Sequence, residues 1–151
     1  MKVIFLDIDG VLNSRRYDRI RTSSDGNIDI SRLPLLKRLV KEPDAKIVLT
    51  SSWRIHWDAD SGLRDTVGED LDRTFRNADL PIYSKTPVLG DRAEEIRSWL
   101  ASHPDTESFV ILDDLTGGWG DLEPRLVRTS PYIGFGLEEL HITAAIELLQ
   151  K

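Results

Sequence analysis

Residues 2–10 of the chain read KVIFLDIDG, a run of apolar residues that is closed by Asp7, Asp9 and Gly10. A run that is apolar at nearly every position is typical of a parallel-sheet strand covered on both faces. We therefore predict a buried strand over residues 2–8. Asp and Gly are also common in turns, so this stretch alone does not distinguish a turn from a functional site.

Short β-branched runs alternate with stretches of helical period along the whole chain, which is typical of βαβ units. Further strands are predicted at residues 46–49, 80–83, 108–112 and 125–128. Helices are predicted at residues 31–41 with Ser31 as the N-cap, from Asp91 onward, and at residues 138–149. The predicted fold class is α/β, a three-layer, Rossmann-like, doubly wound parallel sheet.

Several segments carry more specific expectations. Asp91 and Glu94 have the spacing of a capping box, in which Asp91 caps the helix and Glu94 bonds back to the cap. Residues 12–30 are predicted to be a loop or small hairpin, and residues 53–79 a polar segment that is helical in parts. The side chains that the last helix is predicted to bury are Leu140, Ile142, Ile146 and Leu149.

The composition narrows the class of protein. The chain has 151 residues, 20 Lys and Arg against 26 Asp and Glu, a formal net charge of −6 and no cysteine. This length predicts a single domain over residues 1–151, and the lack of Cys excludes a disulfide framework and a thiolate metal site. The acidic balance argues against sequence-independent binding to DNA or to an anionic membrane. The apolar run at residues 3–6 is too short for a signal peptide or a membrane span, so we expect a cytoplasmic protein, and no obligate protein partner is inferred.

Small polar or acidic residues follow each of the three clearest strands. They are Asp7 and Asp9, Thr50 and Ser51, and Asp113 and Asp114. Ligands of open parallel sheets bind at the carboxyl ends of the strands, so these groups are expected to converge. Four carboxylates in one crevice imply a cation, and ligands that are all oxygens favour Mg²⁺ or Mn²⁺ over Zn²⁺. Because Mg²⁺ often binds a substrate phosphate as well, a phosphorylated substrate is expected.

Each of these segments also has a structural explanation. Thr and Ser after a strand can cap the following helix. Two adjacent acids after a buried strand are harder to explain, because they are costly unless solvated, paired or metal-bound. A phosphorelay receiver domain places its acidic pair first, whereas here Asp113 and Asp114 come last. A dinucleotide-binding domain is not indicated, because no Gly-x-Gly-x-x-Gly motif follows the first strand.

Taken in order, these segments resemble the four motifs of the haloacid dehalogenase-like (HAD) phosphatase superfamily. Residues 5–12, FLDIDGVL, resemble the first motif, residues 47–51, IVLTS, the second, and residues 111–114, ILDD, the fourth. Arg92, at the head of a predicted helix, takes the place of the cation of the third motif, which is most often Lys. Lys85 is the alternative for this role.

The resemblance implies a phosphoryl transfer in which Asp7 attacks phosphorus and forms an aspartyl-phosphate that water hydrolyses. It implies Asp9 as the general acid and then the general base, and Gly10 as the turn beneath the phosphate. Thr50 and Ser51 would donate hydrogen bonds to the phosphoryl oxygens, and which of the two leads stays open.

The cofactor implied by the resemblance is Mg²⁺, with Mn²⁺ as the alternative. Its implied ligands are Asp7, the backbone carbonyl of Asp9, and Asp114 as the direct ligand from the fourth motif. Asp113 would hold a metal-bound water or hydrogen-bond to a ligand. Arg92 would stabilise the charge of the phosphoryl group.

The segments between the motifs predict a site without a cap domain. Many members of the superfamily insert a cap between the first and second motifs or between the second and third. Here residues 13–45 and 52–91 are largely needed for helices of the sheet itself. The residues predicted to contact substrate phosphates or a base beside the open site are Arg15, Arg16, Arg19, Arg21, Trp53 and Arg54. The alternative is an ordinary solvated loop and a core Trp.

The capless form with TSSWR at residues 50–54 resembles the phosphatase domains attached to nucleic-acid repair proteins, and more distantly the phosphatase half of polynucleotide kinase. The resemblance implies a phosphomonoesterase that acts on a nucleotide or on a nucleic-acid terminal phosphate. One alternative is a capless phosphoprotein phosphatase. The other is a non-catalytic module that binds phosphate or metal, against which the intact set of Asp7, Asp9, Thr50 and Asp114 argues.

Overall fold

The computed structural model describes residues 1–20 and 28–151. Within these ranges, the strands of one sheet are β1 (Lys2–Leu6), β2 (Ala45–Leu49), β3 (Ile82–Lys85), β4 (Ser108–Asp113) and β5 (Leu126–Arg128). The α-helices are α1 (Arg15–Ile20), α2 (Leu33–Lys41), α3 (Thr66–Asn77), α4 (Arg92–Ala101) and α5 (Glu139–Leu149). Short 3₁₀ turns cover Ile30–Arg32, Ser52–His56, Ser61–Leu63 and Gly120–Arg125.

The strands lie in the order β3-β2-β1-β4-β5, and every neighbouring pair is parallel. The chain moves outward from β1 to β3 and then returns to the other side of β1 to form β4 and β5. This is a doubly wound α/β fold, and the predicted fold class is confirmed. Such a reversal opens a crevice at the carboxyl ends of the two strands between which it occurs. Leu6 pairs with Leu112 in register, so β1 and β4 end side by side at this crevice.

The core lies on both faces of the sheet because strand side chains alternate in direction. Ile4 and Leu6 of β1 belong to the larger cluster, to which α2, α3 and α5 contribute their buried residues. Val3 and Phe5 belong to a second cluster, which α4 covers. All four side chains are fully buried, as expected for a strand covered on both faces.

The structure differs from the prediction near the first two helices. Residues 12–30, predicted as a loop or hairpin, contain α1, whose one buried residue, Tyr17, leaves no apolar period to detect. Ser31 is not the N-cap of α2. Asp29 instead caps the 3₁₀ turn Ile30–Arg32, where its carboxylate accepts from the Ser31 N–H (3.1 Å) and hydroxyl (2.5 Å), and α2 starts at Leu33.

Other boundaries shift by a few residues. β1 ends at Leu6 and not at residue 8, and β3 begins at Ile82 because Leu80 packs in the core before the strand starts. The polar segment over residues 53–79 contains α3, and β5 lies within the strand predicted at residues 125–128, as expected.

Two side-chain predictions for the helices are wrong. Leu140 is 70% exposed, because it lies about 200° around α5 from the buried Ile142. Asp91 does cap α4 through the N–H groups of Ala93 and Glu94 (3.0 and 3.2 Å). The Glu94 carboxylate, however, accepts from Arg97 and does not return to the cap, so the capping box is half formed.

Candidate active site

Three carboxylates meet where β1 and β4 end. One oxygen from each of Asp7, Asp113 and Asp114 lies within 4.8 Å of the other two. The Asp7 N–H donates to the carbonyl of Leu112 (3.0 Å). This bond extends the pairing of β1 with β4 by one residue beyond the end of β1 and holds Asp7 beside the acidic pair. A cluster of carboxylate oxygens with this spacing matches the ligands that Mg²⁺ prefers.

The electrostatics of the cluster indicate that it fits a cation. The pKa of Asp7 is raised from its ordinary value of 3.8 to about 7, first by burial and then by the charge of Asp113, while Arg92 and the Ile8 N–H act in the opposite direction. The pKa of Asp114 is also raised by burial and by Asp113. A raised carboxyl pKa means that the ionised form is under-compensated, so a divalent cation between these oxygens would favour it.

Asp113 and Asp114 differ in how the protein holds them. Asp113 is buried, and its two oxygens accept from the Arg92 guanidinium (2.5 Å) and from the Leu115 N–H (2.9 Å). Asp114 is half-buried and lines a pocket together with Asp9 and Gly10. Asp113 is therefore the buried carboxylate whose position is fixed by hydrogen bonds, and Asp114 is the carboxylate that faces the pocket.

Arg92 is the guanidinium beside this cluster. It begins α4, and its Nη1 lies 2.5 Å from Asp113 Oδ2 and 3.6 Å from Asp7 Oδ1. Burial lowers the pKa of Arg92, but the charges of Asp7 and Asp113 outweigh it and raise the pKa overall. Lys85 is held elsewhere, because its ammonium donates to the carbonyl of Trp57 (2.5 Å).

Thr50 and Ser51 follow β2 and have different environments. The Thr50 N–H donates to the carbonyl of Leu6 (2.9 Å), which places Thr50 next to Asp7. The Thr50 hydroxyl is fully buried and has no hydrogen-bond partner among the described residues. The Ser51 hydroxyl accepts from the Trp53 N–H (3.1 Å) and caps the 3₁₀ turn that follows. Both hydroxyls can donate to a ligand, but that of Ser51 also accepts in a local cap, whereas that of Thr50 has no other partner among the described residues.

Asp9 is exposed beside the cluster and is held by two side chains. Its Oδ1 accepts from Asn13 Nδ2 (2.9 Å), and its Oδ2 accepts from the Trp53 indole N–H (3.2 Å). Trp53 was expected to be a stacking platform or a core residue, and neither this contact of Trp53 nor that of Asn13 was predicted from the sequence. The four-residue spacing from Asp9 to Asn13 across a Gly-containing turn is the signal that could have identified Asn13.

Gly10 is required by the geometry between Asp9 and Asp114. Its φ is +83°, and a Cβ at this position would lie 2.3 Å from Asp114 Oδ2. Its N–H donates to Asn13 Oδ1 (2.9 Å) and its carbonyl accepts from the Thr129 hydroxyl (2.7 Å). The turn that carries Asp9 is therefore fixed on both sides.

Arg54 does not face the pocket, contrary to its predicted contact with substrate. It is 4% exposed, and its guanidinium lies 2.9 Å from the buried Glu95 carboxylate of α4. The backbone carbonyls that accept its hydrogen bonds are those of Thr50, Ser51, Thr86 and Pro87. Arg54 thus ties the turn after β2 to α4 and contributes to the site only through the backbone it holds.

The arginines of α1 are exposed, and one of them lines the pocket. Arg15 lines it, and its guanidinium lies 5.7 Å from the ring centroid of Tyr132. The Arg16 guanidinium lies 5.1 Å from the ring centroid of Phe135. Arg19 is also exposed, and Arg21 lies outside the described residues.

A doubly wound sheet with an acidic cluster, a guanidinium and a buried hydroxyl at the reversal between β1 and β4 is typical of HAD-like phosphatase domains. The model of a family described as "HAD domain in Swiss Army Knife RNA repair proteins" matches residues 3–140. The chain belongs to this family, and membership supports a hydrolase of the phosphatase type. Neither a curated protein nor a solved structure matches the chain.

No cap domain is present in the part of the chain that the structure describes. Between Gly10 and β2, α2 packs against α5 and β2, and between β2 and α4, α3 packs against β3. These helices belong to the layers of the sheet. Among the described residues, no helix combines the length and the apolar character needed to cross a bilayer.

Proposed function

We propose that the protein is a Mg²⁺-dependent phosphomonoesterase that acts through an aspartyl-phosphate on a nucleotide or a nucleic-acid terminal phosphate. The observation that carries this proposal is the placement of Asp7. It lies beside both the acidic pair and the Arg92 guanidinium (3.6 Å) at the switch of the sheet, and it follows the residue that pairs with Thr50, whose buried hydroxyl has no partner among the described residues. These groups together supply a nucleophile, positive charge and a hydrogen-bond donor for one phosphoryl group.

In the first step, a carboxylate oxygen of Asp7 attacks phosphorus in line, the bond from phosphorus to the ester oxygen breaks, and Asp9 gives that oxygen a proton. In the second step, water attacks the phosphorus of the aspartyl-phosphate and loses a proton to Asp9. The Asp7 carboxylate and inorganic phosphate are then released. Asn13 and Trp53 support this role of Asp9, because their hydrogen bonds orient its carboxylate at the mouth of the site.

The chain's own groups contact the phosphoryl group in distinct ways. Thr50 is the proposed donor to a phosphoryl oxygen, since its hydroxyl is buried without a partner among the described residues. Arg92 balances negative charge as phosphate approaches Asp7, and Asp113 holds Arg92 in place. Ser51 acts by capping the turn that presents Thr50.

The proposed metal ligands are Asp7, Asp114 and the backbone carbonyl of Asp9, with Asp113 behind them. When bound, Mg²⁺ would neutralise charge on the phosphate and so make the approach of an anionic carboxylate tolerable. The raised pKa values of Asp7 and Asp114 support this assignment, because they report carboxylates that are under-compensated without a cation.

The proposed substrate class rests on the open site and on the family. The family description places such HAD domains in RNA repair proteins, where exposed terminal phosphates are the expected targets. No cap covers the site in the described residues, and the exposed Arg15 of α1 lines the pocket. A phosphoprotein phosphatase would also need an open site, so it is kept as an outcome of the test.

The test is a substrate panel with Mg²⁺ and Mn²⁺: an aryl phosphate, nucleoside monophosphates, oligonucleotides with 3′- or 5′-phosphates, and phosphopeptides. We expect turnover of the aryl phosphate and highest kcat/KM on the nucleotide or oligonucleotide substrates. Asp7→Asn should abolish turnover without loss of fold. Asp105→Asn is the matched control, because Asp105 is exposed and its backbone contacts Met1 at the amino end of β1, away from the site at the carboxyl ends.

Trapping with beryllium fluoride or vanadate would report a phosphate analogue on Asp7, and Asp7→Asn should lose it. Higher kcat/KM on phosphopeptides than on oligonucleotides would overturn the substrate class. An absence of turnover on every substrate with either metal would leave the non-catalytic module as the explanation.

A further inference from the structure

A pocket of about 340 Å³ extends from the proposed reaction centre to an exposed aromatic side chain. Its lining includes Asp9, Gly10 and Asp114 of the candidate site together with Arg15, Asp18 and Tyr132. Pockets that bind small ligands begin at about this volume. A phosphate bound at the reaction centre, beside Asp9 and Asp114, would therefore leave part of this volume for the group that carries it.

The loop that carries Tyr132 is tied to the turn that carries Asp9. The Arg15 N–H donates to the carbonyl of Pro131 (2.8 Å), and the Leu137 N–H donates to the carbonyl of Val11 (2.8 Å). The Thr129 hydroxyl donates to the carbonyl of Gly10 (2.7 Å). Anchors on both sides of Tyr132 hold the backbone of this loop beside the turn that carries Asp9.

Tyr132 exposes 75% of its surface, although a ring of this size gains free energy when it is buried. The Arg15 guanidinium lies over the ring, 5.7 Å from its centroid, and places a positive charge directly beside it. Bases of single-stranded nucleic acid stack on exposed aromatic rings, and nearby cations attract the backbone that joins them. This pairing suits a nucleoside better than the aliphatic side chain of phosphoserine.

Trp53, the other aromatic residue near the mouth, is not free for this role. Its indole N–H donates to Asp9, and its ring packs against the core. The aromatic platform expected beside the site is therefore assigned to the loop before α5 and not to the turn after β2.

We propose that Tyr132 and Arg15 form a subsite for the nucleoside that bears the scissile phosphate, with the base stacked on the Tyr132 ring. This subsite rests on the proposed phosphatase function and names what the site recognises beyond the phosphate. The ring is the recognising element, so its hydroxyl is dispensable.

The test compares Tyr132→Ala and Tyr132→Phe on matched substrates with and without a base. The substrates are a nucleoside monophosphate, an oligonucleotide with a terminal phosphate, the same oligonucleotide with an abasic terminal nucleotide, and glycerol phosphate. For substrates with a base, Tyr132→Ala should raise KM about tenfold and Tyr132→Phe should leave it near wild type. Neither variant should change KM for glycerol phosphate or the abasic end.

Tyr83→Ala is the matched control. Tyr83 is also exposed and has a cation, Lys46, over its ring at 5.8 Å, but it lies on β3 away from the pocket. Tyr83→Ala should leave the KM for all four substrates unchanged. A similar rise in KM for the mononucleotide and for the oligonucleotide would show that the terminal nucleoside suffices, whereas a rise for the oligonucleotide alone would overturn the subsite in favour of contacts along the strand.

Equal loss on substrates with and without a base, or no loss on either, would also overturn the subsite. Failure of the phosphatase function itself is recognised separately, because it removes turnover of glycerol phosphate by the unmodified protein. In that case, equilibrium binding of the same nucleotides to Asp7→Asn and to Asp7→Asn with Tyr132→Ala still tests stacking. Equal affinity of these two proteins for a nucleotide would contradict it.

Discussion

Thr50 combines complete burial with a hydroxyl that has no partner among the described residues. A buried polar group without a partner costs free energy of folding, about 1–3 kcal/mol. A buried hydroxyl of this kind is typical of a ligand-binding site. Because Thr50 lies next to Asp7, the expected ligand is the phosphoryl group. The residue is thus expected to trade stability for binding of the phosphoryl group.

Thr50→Val separates these two effects because it removes the hydroxyl and keeps the shape. We expect the free energy of unfolding to rise by about 1 kcal/mol or stay unchanged, because the orphaned hydroxyl is gone. We expect kcat/KM to fall about 10²-fold, the usual loss when one pre-organised donor is removed. Denaturant unfolding and steady-state kinetics on the aryl phosphate measure both.

Thr86→Val is the matched control, since Thr86 is also buried but its hydroxyl donates to the carbonyl of Leu49 (3.3 Å). It should lose about 1 kcal/mol of stability and keep its activity. Loss of stability in Thr50→Val with unchanged kinetics would contradict the assignment of Thr50.

At the scale of elements, the turn after β2 and the start of α4 are joined by a buried ion pair. Arg54 Nη2 lies 2.9 Å from Glu95 Oε2, and the same carboxylate oxygen accepts from the N–H groups of Leu89 and Gly90. Arg92 Nε lies 3.9 Å from the other oxygen of Glu95. The two groups proposed to contact phosphate, Thr50 and Arg92, are therefore positioned by one network.

Arg54→Met should lower the free energy of unfolding by about 3–5 kcal/mol, because it leaves a buried carboxylate unpaired. Arg54→Lys should also lower activity. A single ammonium cannot replace a guanidinium that contacts four carbonyls and a carboxylate. The KM for phosphate esters, measured well below the melting temperature, should rise in both variants.

Arg97→Met is the matched control for the loss of an arginine from an ion pair. Arg97 belongs to α4 and pairs with Glu94 and with Asp121 (2.5 Å), but these contacts are solvent-exposed. This variant should change neither stability nor KM measurably. An Arg54→Met protein as stable and active as Arg97→Met would refute the positioning role.

At the scale of the whole molecule, the acidic cluster links stability to pH and to metal. The folded pKa of Asp7 is about 7, above its ordinary value of 3.8, so the fold binds this proton more tightly than the unfolded chain does. The stability from this proton is full below about pH 4 and is lost as the pH rises through about 7. A bound cation needs the ionised carboxylate, so its effect runs in the opposite direction.

We expect the Tm of the metal-free protein to fall between pH 5 and pH 8, with one cooperative transition as predicted for a single domain. The rise in Tm on adding Mg²⁺ should be larger at pH 8 than at pH 5.5. Asp7→Asn should lose most of this pH dependence in the presence of a chelator, and Asp105→Asn should keep it. Calorimetry with and without Mg²⁺ measures both, and a Mg²⁺ effect that does not vary with pH would contradict the linkage.

Much of the fold followed from local patterns in the sequence. The apolar run of residues 3–6 predicts a strand covered on both faces, and the small polar or acidic residues directly after the three clearest strands predict a site at the carboxyl ends of the sheet. These features are local because burial and strand period act on neighbouring residues. α1 was not predicted, because a single buried residue, Tyr17, produces no helical period of apolar residues.

The pairing of polar groups was decided by the tertiary structure. Arg54 and Arg92 are both arginines near a motif, yet Arg54 is enclosed by carbonyls of two turns and Arg92 faces Asp7. Thr50 and Ser51 are adjacent hydroxyls, yet only Ser51 caps a turn.

The doubly wound sheet and the residues at the carboxyl ends of its strands can be predicted from the sequence alone, while the catalytic roles of those residues stay predictions. The tertiary structure alone brought Tyr132 to the pocket that contains Asp9. The physical reason is distance along the chain. Hydrophobic period is encoded within a few residues, whereas a hydrogen bond such as that of Thr129 to Gly10 joins segments 119 residues apart, which meet only after the sheet has formed.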